Sequence, residues 1–97
     1  MKKKSPKDIP ISIEDVSYVV EEIWRNRSGI SGSLNHLSLI RWDRDAPPST
    51  HNLVLMTVTE AKKHQAIQSL QEYPIETVTF IEEKLKVERQ LDKLRNL

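Results

Sequence analysis

Residues 52–74 read NLVLMTVTEAKKHQAIQSLQEYP, an apolar run followed by an amphipathic segment. Leu53 to Val58 is rich in aliphatic and β-branched residues and far too short to cross a bilayer, so it predicts a strand. Alternate side chains of this run are apolar on both faces, which is typical of a strand in the interior of a sheet. Thr57 and Glu60 have the spacing of a capping box, so we expect a helix to begin directly after the strand.

The helix predicted after this strand has a single apolar face. The residues that form this face at helical spacing are Ala66, Ile67, Leu70 and Tyr73. Pro74 lacks an amide hydrogen and its ring blocks the preceding turn, so the helix must end before it. A strand that leads into an amphipathic helix packed back on its sheet is typical of α/β sandwiches.

An earlier helix is predicted at about residues 13–27. Ser12 is a good N-cap residue, and apolar residues recur after it at helical spacing. Gly29 is placed to end this helix in a left-handed conformation. Before the helix, residues 9–11 allow a short strand, which Pro10 would restrict to the edge of a sheet.

Two further strands are predicted on either side of the central unit. Residues 34–42 form the earlier one, and the polar segment 43–50, with its two prolines, connects it to the central strand in antiparallel order and is long enough to move. Residues 75–81 predict a last strand, whose apolar residues are Ile75, Val78, Phe80 and Ile81.

The C-terminal segment predicts a helix at about residues 83–96. Val87, Leu91 and Leu94 lie on one face of this helix. A longer strand through residues 82–88 stays open as an alternative, because apolar residues also alternate there.

The resulting order is a weak strand, helix, strand, strand, helix, strand and C-terminal helix. This order predicts an α+β fold of the ferredoxin-like kind, an α/β sandwich with an antiparallel sheet. One sheet face would be open and would carry either Val54, Met56 and Val58 or the alternate set Leu53 and Leu55. Apolar side chains on such a face predict an interface, so we expect a homodimer or a larger homo-oligomer. The residues expected at the interface are Trp42, Val54, Met56, Val58, Leu91 and Leu94.

Length and composition set further bounds. The 97 residues support one domain, placed at 9–97, behind a disordered basic tail at residues 1–8 that contains Lys2-Lys3-Lys4. A net charge of +1 argues against nucleic acid or an anionic membrane as the main partner. The chain has no cysteine and no apolar segment long enough for a membrane span, so we expect a cytoplasmic protein without disulfides.

No part of the sequence has the spacing of a catalytic or metal centre. The histidines His36, His51 and His64 fall on different predicted elements, so no pair has the spacing of metal ligands. Segment 29–33 has neither the Gly-x-Ser-x-Gly pattern of a nucleophile turn nor the lysine of a phosphate-binding loop. We therefore expect no catalytic residue, no metal and no cofactor, and we predict that the chain is not an enzyme.

Residues 16–35 and 53–78 carry motifs of a known family. The motifs are a helix through Val19-Val20-Glu21-Glu22-Ile23 into Gly29-Ile30-Ser31, a strand opening near Asn35, the run Leu53-Val54-Leu55-Met56-Thr57, the pair Glu60-Ala61, and Leu70-x-x-Tyr73-Pro74. In these features the chain resembles small-molecule-sensing ACT domains, in particular the kind found at the C-terminus of homoserine dehydrogenases. The resemblance implies a ferredoxin-like fold and a regulatory role. It also implies that an amino acid or similar metabolite binds at a subunit interface, near Gly29, Ile30, Ser31 and Asn35.

Three functions therefore remain open. The first is a non-enzymatic module that associates with itself and with a larger protein. The second is an ACT-like regulatory domain that binds a small-molecule effector. The third is a weak nucleic-acid-binding module that would use Arg41, Trp42, Arg44 and the N-terminal lysines.

Overall fold

The computed structural model describes residues 11–95, which form three α-helices and a two-stranded antiparallel sheet. The elements in chain order are α1 (Ile13–Tyr18) with a π-helical continuation (Val19–Ile23), β1 (Leu37–Arg41), β2 (Leu53–Thr57), α2 (Val58–Ala66), a 3-10 turn (Leu70–Glu72) and α3 (Ile75–Arg95). The tail predicted at residues 1–8 lies outside the described residues. So do residues 9 and 10 of the predicted edge strand, and Ile11 is not in a strand.

The central strand lies where its apolar run predicts. β2 pairs with β1 in antiparallel register, with Leu39 opposite Leu55. Leu53 to Met56 are all buried, because both faces of the strand are covered. The α+β class and the antiparallel pairing are therefore confirmed. β1 is shorter than the predicted segment 34–42, since His36 has a φ of 51°, which a strand cannot accommodate.

The first helix ends earlier than predicted. Its π-helical part ends at Ile23, with Trp24 as the C-cap, because Arg25 and Asn26 both adopt left-handed backbone conformations, with φ of 57° and 61°. Gly29 is therefore not the residue that ends the helix. Its amide instead donates a hydrogen bond to the carbonyl of Leu55 at 2.8 Å, which brings this segment against β2.

α2 ends at Ala66 and does not continue to Tyr73. The guanidinium of Arg44 donates hydrogen bonds to the carbonyl oxygens of Gln65 and Ile67 at 2.6 and 2.9 Å. These bonds satisfy carbonyl groups that have no partner within the helix at its C-terminal end. A long-range contact from the loop after β1 therefore stabilises the early end of this helix.

Residues 75–81 are helical, so the predicted last strand is wrong. α3 begins directly after Pro74, whose carbonyl accepts hydrogen bonds from the amides of Thr77 and Val78. Ile81 and Leu85 have helical spacing and are 0 % and 4 % exposed. Packing of this apolar face on the core overrides the local preference of β-branched residues for a strand.

The helix predicted at 83–96 is confirmed over its described part, and residues 82–88 belong to it. The four-stranded ferredoxin-like sheet required a strand at 75–81. That arrangement is not confirmed, because residues 11–95 form a two-stranded sheet.

The core lies between β2, the end of the first helix and the inner face of α3. Its largest fully buried side chains are Met56, Ile81, His64, Val19 and Val54. Trp24 and Trp42 belong to the same core cluster and are 3 % and 5 % exposed. Among residues 11–95 no helix combines the length and the apolar character needed to cross a membrane.

Candidate functional site

Three aromatic rings form a stack beside the loop between the strands. The Trp42 ring lies nearly parallel to those of His64 and Tyr73, at centroid distances of 5.0 and 5.4 Å. Trp42 follows β1, His64 lies on the inner face of α2 and Tyr73 follows the 3-10 turn. The indole N–H of Trp42 also donates to the Glu82 carboxylate on α3 at 3.1 Å. The stack therefore joins four elements that are distant in sequence.

His64 is 1 % exposed and uses both ring nitrogens. Its Nε2 donates to the Trp42 carbonyl at 2.9 Å, because a carbonyl oxygen can only accept. Its Nδ1 is hydrogen-bonded to the Tyr73 hydroxyl oxygen at 2.7 Å. No nitrogen of this ring is left for a substrate, so its role is structural. Within residues 11–95 no three or more His, Asp or Glu side chains come close enough together to hold a metal ion.

The loop at residues 43–52 is held by the buried side chain of Asn52. Its amide oxygen accepts a hydrogen bond from the Asp43 amide at 2.8 Å. Its amide nitrogen contacts the carbonyl oxygens of Asp43, Ala46 and Pro47 at 3.1, 3.3 and 3.1 Å. These bonds hold the two ends of the loop at residues 43–52 together, although the length of this segment predicted a mobile connection.

This loop forms one wall of a cleft of about 840 Å³, and α3 supplies Lys86 and Arg89 to the same cleft. Arg44 lines it too, but its guanidinium is bound to the end of α2. Arg41 donates to the Ala46 carbonyl at 3.3 Å, and the Trp42 ring is buried. Trp42 is therefore buried and Arg44 is bound to α2, while nucleic-acid binding through the exposed Arg41 stays a prediction; the N-terminal lysines lie outside the described residues.

A second, open groove of about 670 Å³ lies between the segment after the first helix and α3. We call it the Trp24–Phe80 groove, after two of the residues that line it. The indole N–H of Trp24 donates to the Leu53 carbonyl at 3.0 Å, so this ring is fixed in the core. Phe80 packs edge-on against it with a centroid distance of 6.3 Å and is 51 % exposed. The groove therefore has a rigid aromatic base and an accessible aromatic wall.

The residues that the ACT resemblance implied as one ligand site do not line one cavity. Gly29 and Ile30 line the Trp24–Phe80 groove. Ser31 lines neither this groove nor the cleft, and its amide donates to the Ser28 hydroxyl oxygen at 3.1 Å. Asn35 lies in a separate cavity of about 460 Å³. Within the single chain these four residues are therefore divided among separate places, and a metabolite site formed with a second subunit stays a prediction.

Glu60 connects this region to the start of α2. The predicted capping box is confirmed: the Thr57 hydroxyl oxygen accepts from the Glu60 amide, and the Glu60 carboxylate accepts from the Thr57 amide. The Ser28 hydroxyl donates to the same carboxylate oxygen. Burial alone would raise the pKa of Glu60, but hydrogen bonds from Ser28, Ser31 and Thr57 outweigh it and hold this pKa below its usual value.

Three of the residues predicted at an interface lie in the core of the chain. Trp42, Val54 and Met56 are 5 %, 0 % and 0 % exposed. The sheet face that was expected to be open is covered by the helices of the same chain. These three side chains therefore have no surface to offer a partner.

The other three predicted interface residues are exposed. Val58 begins α2 and is 44 % exposed, while Leu91 and Leu94 on α3 are 38 % and 63 % exposed. Val87, at 54 %, lies on the same face of α3 because residues four and seven positions apart share a face. We call Val87, Leu91 and Leu94 the exposed seam of α3.

Sequence analysis missed the cationic and aromatic rim of the Trp24–Phe80 groove. Phe80 was assigned to a strand, although it lies seven residues before Val87, which is a helical spacing. Arg25 and Arg27 reach the rim from a turn in which Arg25 and Asn26 adopt left-handed backbone conformations that non-glycine residues rarely adopt. Such conformations leave no signal in the sequence.

Comparison with known proteins finds similarity to small parts of longer proteins. No protein-family model matches the chain. It is 33 % identical over 93 residues, 90 % of the chain and 21 % of the relative, to tRNA threonylcarbamoyladenosine dehydratase 2 of Saccharomyces cerevisiae. It is 40 % identical over 55 residues, 57 % of the chain and 13 % of the relative, to dehydratase 1 of the same yeast. A third relative, the IQ motif and ubiquitin-like domain-containing protein of Mus musculus, is 32 % identical over 63 residues, or 63 % of the chain and 8 % of that protein. The chain thus spans about a fifth or less of the length of these curated relatives.

Proposed function

We propose that this chain is a non-enzymatic association module that pairs with a second copy of itself through the exposed seam of α3. The observation that carries the proposal is the division of α3 into two apolar faces. Ile81 and Leu85 on one face are buried in the core, whereas the exposed seam on another face is uncovered within residues 11–95. Uncovered apolar side chains in a row on a helix are typical of a surface that meets a partner.

The size of the seam predicts weak association. Fully burying a Val or Leu side chain contributes roughly 1.5–3 kcal/mol. About half of the surface of each seam side chain is already buried in the single chain, so pairing can add only about half of this free energy. Three side chains from each copy would then contribute roughly 4.5–9 kcal/mol in total. This gain only just meets the about 4–15 kcal/mol lost in translational and rotational freedom. The dimer should therefore form only at high protein concentration.

The similarity to longer proteins supports a module rather than a complete enzyme. Two relatives are named for the dehydration of a modified tRNA nucleoside, and the third has a name that states no reaction. A segment shared by proteins with such different names is better suited to association than to one chemical step. We propose that it accompanies a larger tRNA-modifying protein.

Light scattering over a wide concentration range tests the self-association. The mass should rise from 11.3 kDa towards twice that value as the concentration increases. Leu91→Glu should hold the chain at the monomer mass, because a charge in the seam would have to be buried on pairing. Leu34→Glu is the matched control, since Leu34 is 65 % exposed but lies outside the seam. A wild-type chain that stays monomeric at the highest concentration would refute the proposed pairing.

The non-enzymatic part has a separate test. The purified chain alone should not dehydrate threonylcarbamoyladenosine in tRNA, the activity for which two of the relatives are named. Measurable turnover that a groove or cleft substitution abolishes would contradict this part of the proposal.

A further inference from the structure

Cationic side chains are concentrated at the Trp24–Phe80 groove. Arg25, Arg27 and Lys84 line it together with one carboxylate, Glu76. The ion pairs among residues 11–95 all involve Asp92, and none of these three cations has a carboxylate within 4 Å in that part of the chain. Since the net charge of the chain is only +1, this local excess is a feature of the groove and not of the whole surface.

The backbone beside the groove is held in conformations that cost free energy. The π-helical turn at Val19–Ile23 leads into Arg25 and Asn26, which both have positive φ. A hydrogen bond of 2.9 Å from the Asn26 amide to the Val20 carbonyl closes this turn. π-helical turns and strained non-glycine residues cluster at functional sites, because the surrounding structure must offset their cost. Here they bring Arg25 and Arg27 to the groove, and within residues 11–95 Arg25 uses only its Nε, which donates to the Glu22 carbonyl at 3.2 Å, so its two terminal nitrogens can still contact a ligand.

The apolar part of the groove presents one aromatic face. Trp24 is fixed below it, and Gly29 lets the backbone pass close to that ring. Phe80 stands half exposed beside it. The ammonium of Lys84 lies 5.5 Å from the centre of the Phe80 ring and 5.7 Å from that of Trp24. A planar group stacked on Phe80 would therefore have a cation within reach of any anionic group attached to it.

We infer that the Trp24–Phe80 groove binds a nucleotide unit of a single-stranded nucleic acid. The base stacks on Phe80, and Arg25, Arg27 and Lys84 contact the phosphates on either side of it. Base stacking on an aromatic side chain and phosphate contacts from Arg and Lys are the two components of sequence-independent single-strand binding. A free nucleotide offers the same chemistry, but three cations along one open groove suit a continuous backbone better than a single phosphate. The inference does not depend on self-association, because no residue of the exposed seam lines the groove.

Fluorescence anisotropy with a short labelled single-stranded RNA at low salt tests this inference. Phe80→Ala should weaken binding roughly 5- to 100-fold, the usual effect of removing one stacking ring. Phe80→Leu should lose nearly as much, since it keeps the apolar bulk and removes only the aromatic face. Thermal unfolding of both variants shows that the fold is kept.

A charge-matched pair of double variants separates the groove from general electrostatic attraction. Arg25→Gln with Arg27→Gln should weaken binding and reduce the slope of log affinity against log salt by about 1.4, because two phosphate contacts are lost. Lys62→Gln with Lys63→Gln removes the same charge from exposed positions on α2 that do not line the groove, and should change affinity less than about twofold.

Three results would overturn the inference. Equal losses in the two double variants would show that binding is not located in the groove. Unchanged affinity of Phe80→Ala would exclude stacking. Competition by adenosine monophosphate as effective as that by unlabelled RNA would assign the groove to a free nucleotide instead.

Discussion

Replacing Gly29 by alanine would place a methyl group against two buried side chains. The added carbon would lie 2.6 Å from Cζ3 of Trp24 and 3.1 Å from Cγ1 of Val54. Trp24 cannot retreat, because it is buried and its indole N–H is bonded to β2. Overpacking costs about 1–3 kcal/mol, and the lower entropy of the unfolded chain returns only about 0.4–1 kcal/mol. We therefore expect a loss of roughly 1–2 kcal/mol in the free energy of unfolding, and a melting temperature lower by roughly 4–15 °C.

A double-mutant cycle measured by urea unfolding shows whether the Trp24 ring is the cause. Trp24→Phe shortens the ring system, so Gly29→Ala should cost at least about 0.5 kcal/mol less in that background. Gly32→Ala is the control, because a methyl group there meets nothing within 4 Å but the residue has a φ of 80°. Its cost of about 1–2 kcal/mol should not depend on Trp24. If Gly29→Ala costs the same in both backgrounds, steric contact with Trp24 is not the reason.

Substitutions at three further places test other contacts. The pKa of Glu60 lies below its usual 4.5 in the folded chain, so its carboxylate stabilises the fold fully above that pH and less as the pH falls through the lower folded value. Glu60→Gln should therefore have a lower free energy of unfolding than wild type in urea titrations near neutral pH, and this difference between the two proteins should become smaller in acid. A difference in unfolding free energy that grows in acid would contradict this. Asn52→Ala leaves the Asp43 amide and several loop carbonyls without their partner, and should lower the free energy of unfolding by about 1–3 kcal/mol. An unchanged unfolding midpoint would show that the loop does not need this side chain. Leu85→Ala should lower the free energy of unfolding by about 2–5 kcal/mol in the same assay, while Val87→Ala should change it by less than about 0.5 kcal/mol. Equal decreases for the two variants would mean that the buried and exposed faces of α3 are assigned wrongly.

Local chemistry was enough to predict several elements of this fold. Ser12 accepts the Asp15 amide hydrogen as an N-cap should, and Thr57 with Glu60 forms the predicted capping box. The strand at Leu53–Thr57 follows from an apolar run that must be buried in the core of a small domain. Leu91 and Leu94 also lie exposed on one helix face, as their spacing predicts. Each of these predictions depends on residues within a few positions of one another.

The errors arise where distant residues decide the outcome. The end of α2 depends on Arg44, which reaches its terminal carbonyls from another loop. The strand expected at 75–81 is helical because Ile81 must pack into the core together with Leu85. The stack of Trp42, His64 and Tyr73 joins residues whose proximity no local pattern indicates. Ser69 did carry a usable signal, since it caps the 3-10 turn that replaces the expected continuation of α2.

α3 packs one face on the core, while a second face carries the groove residues Phe80 and Lys84 in its first half and the exposed seam in its second half. Its side chains advance by about 100° per residue, so one inserted or deleted residue near its middle would rotate every later position onto a neighbouring face. A point substitution can change one of these surfaces and leave the others intact, whereas an insertion or deletion changes the direction of every residue that follows it in the helix. The helix should therefore diverge among relatives in residue type far more readily than in length, and gaps in an alignment should fall at its ends.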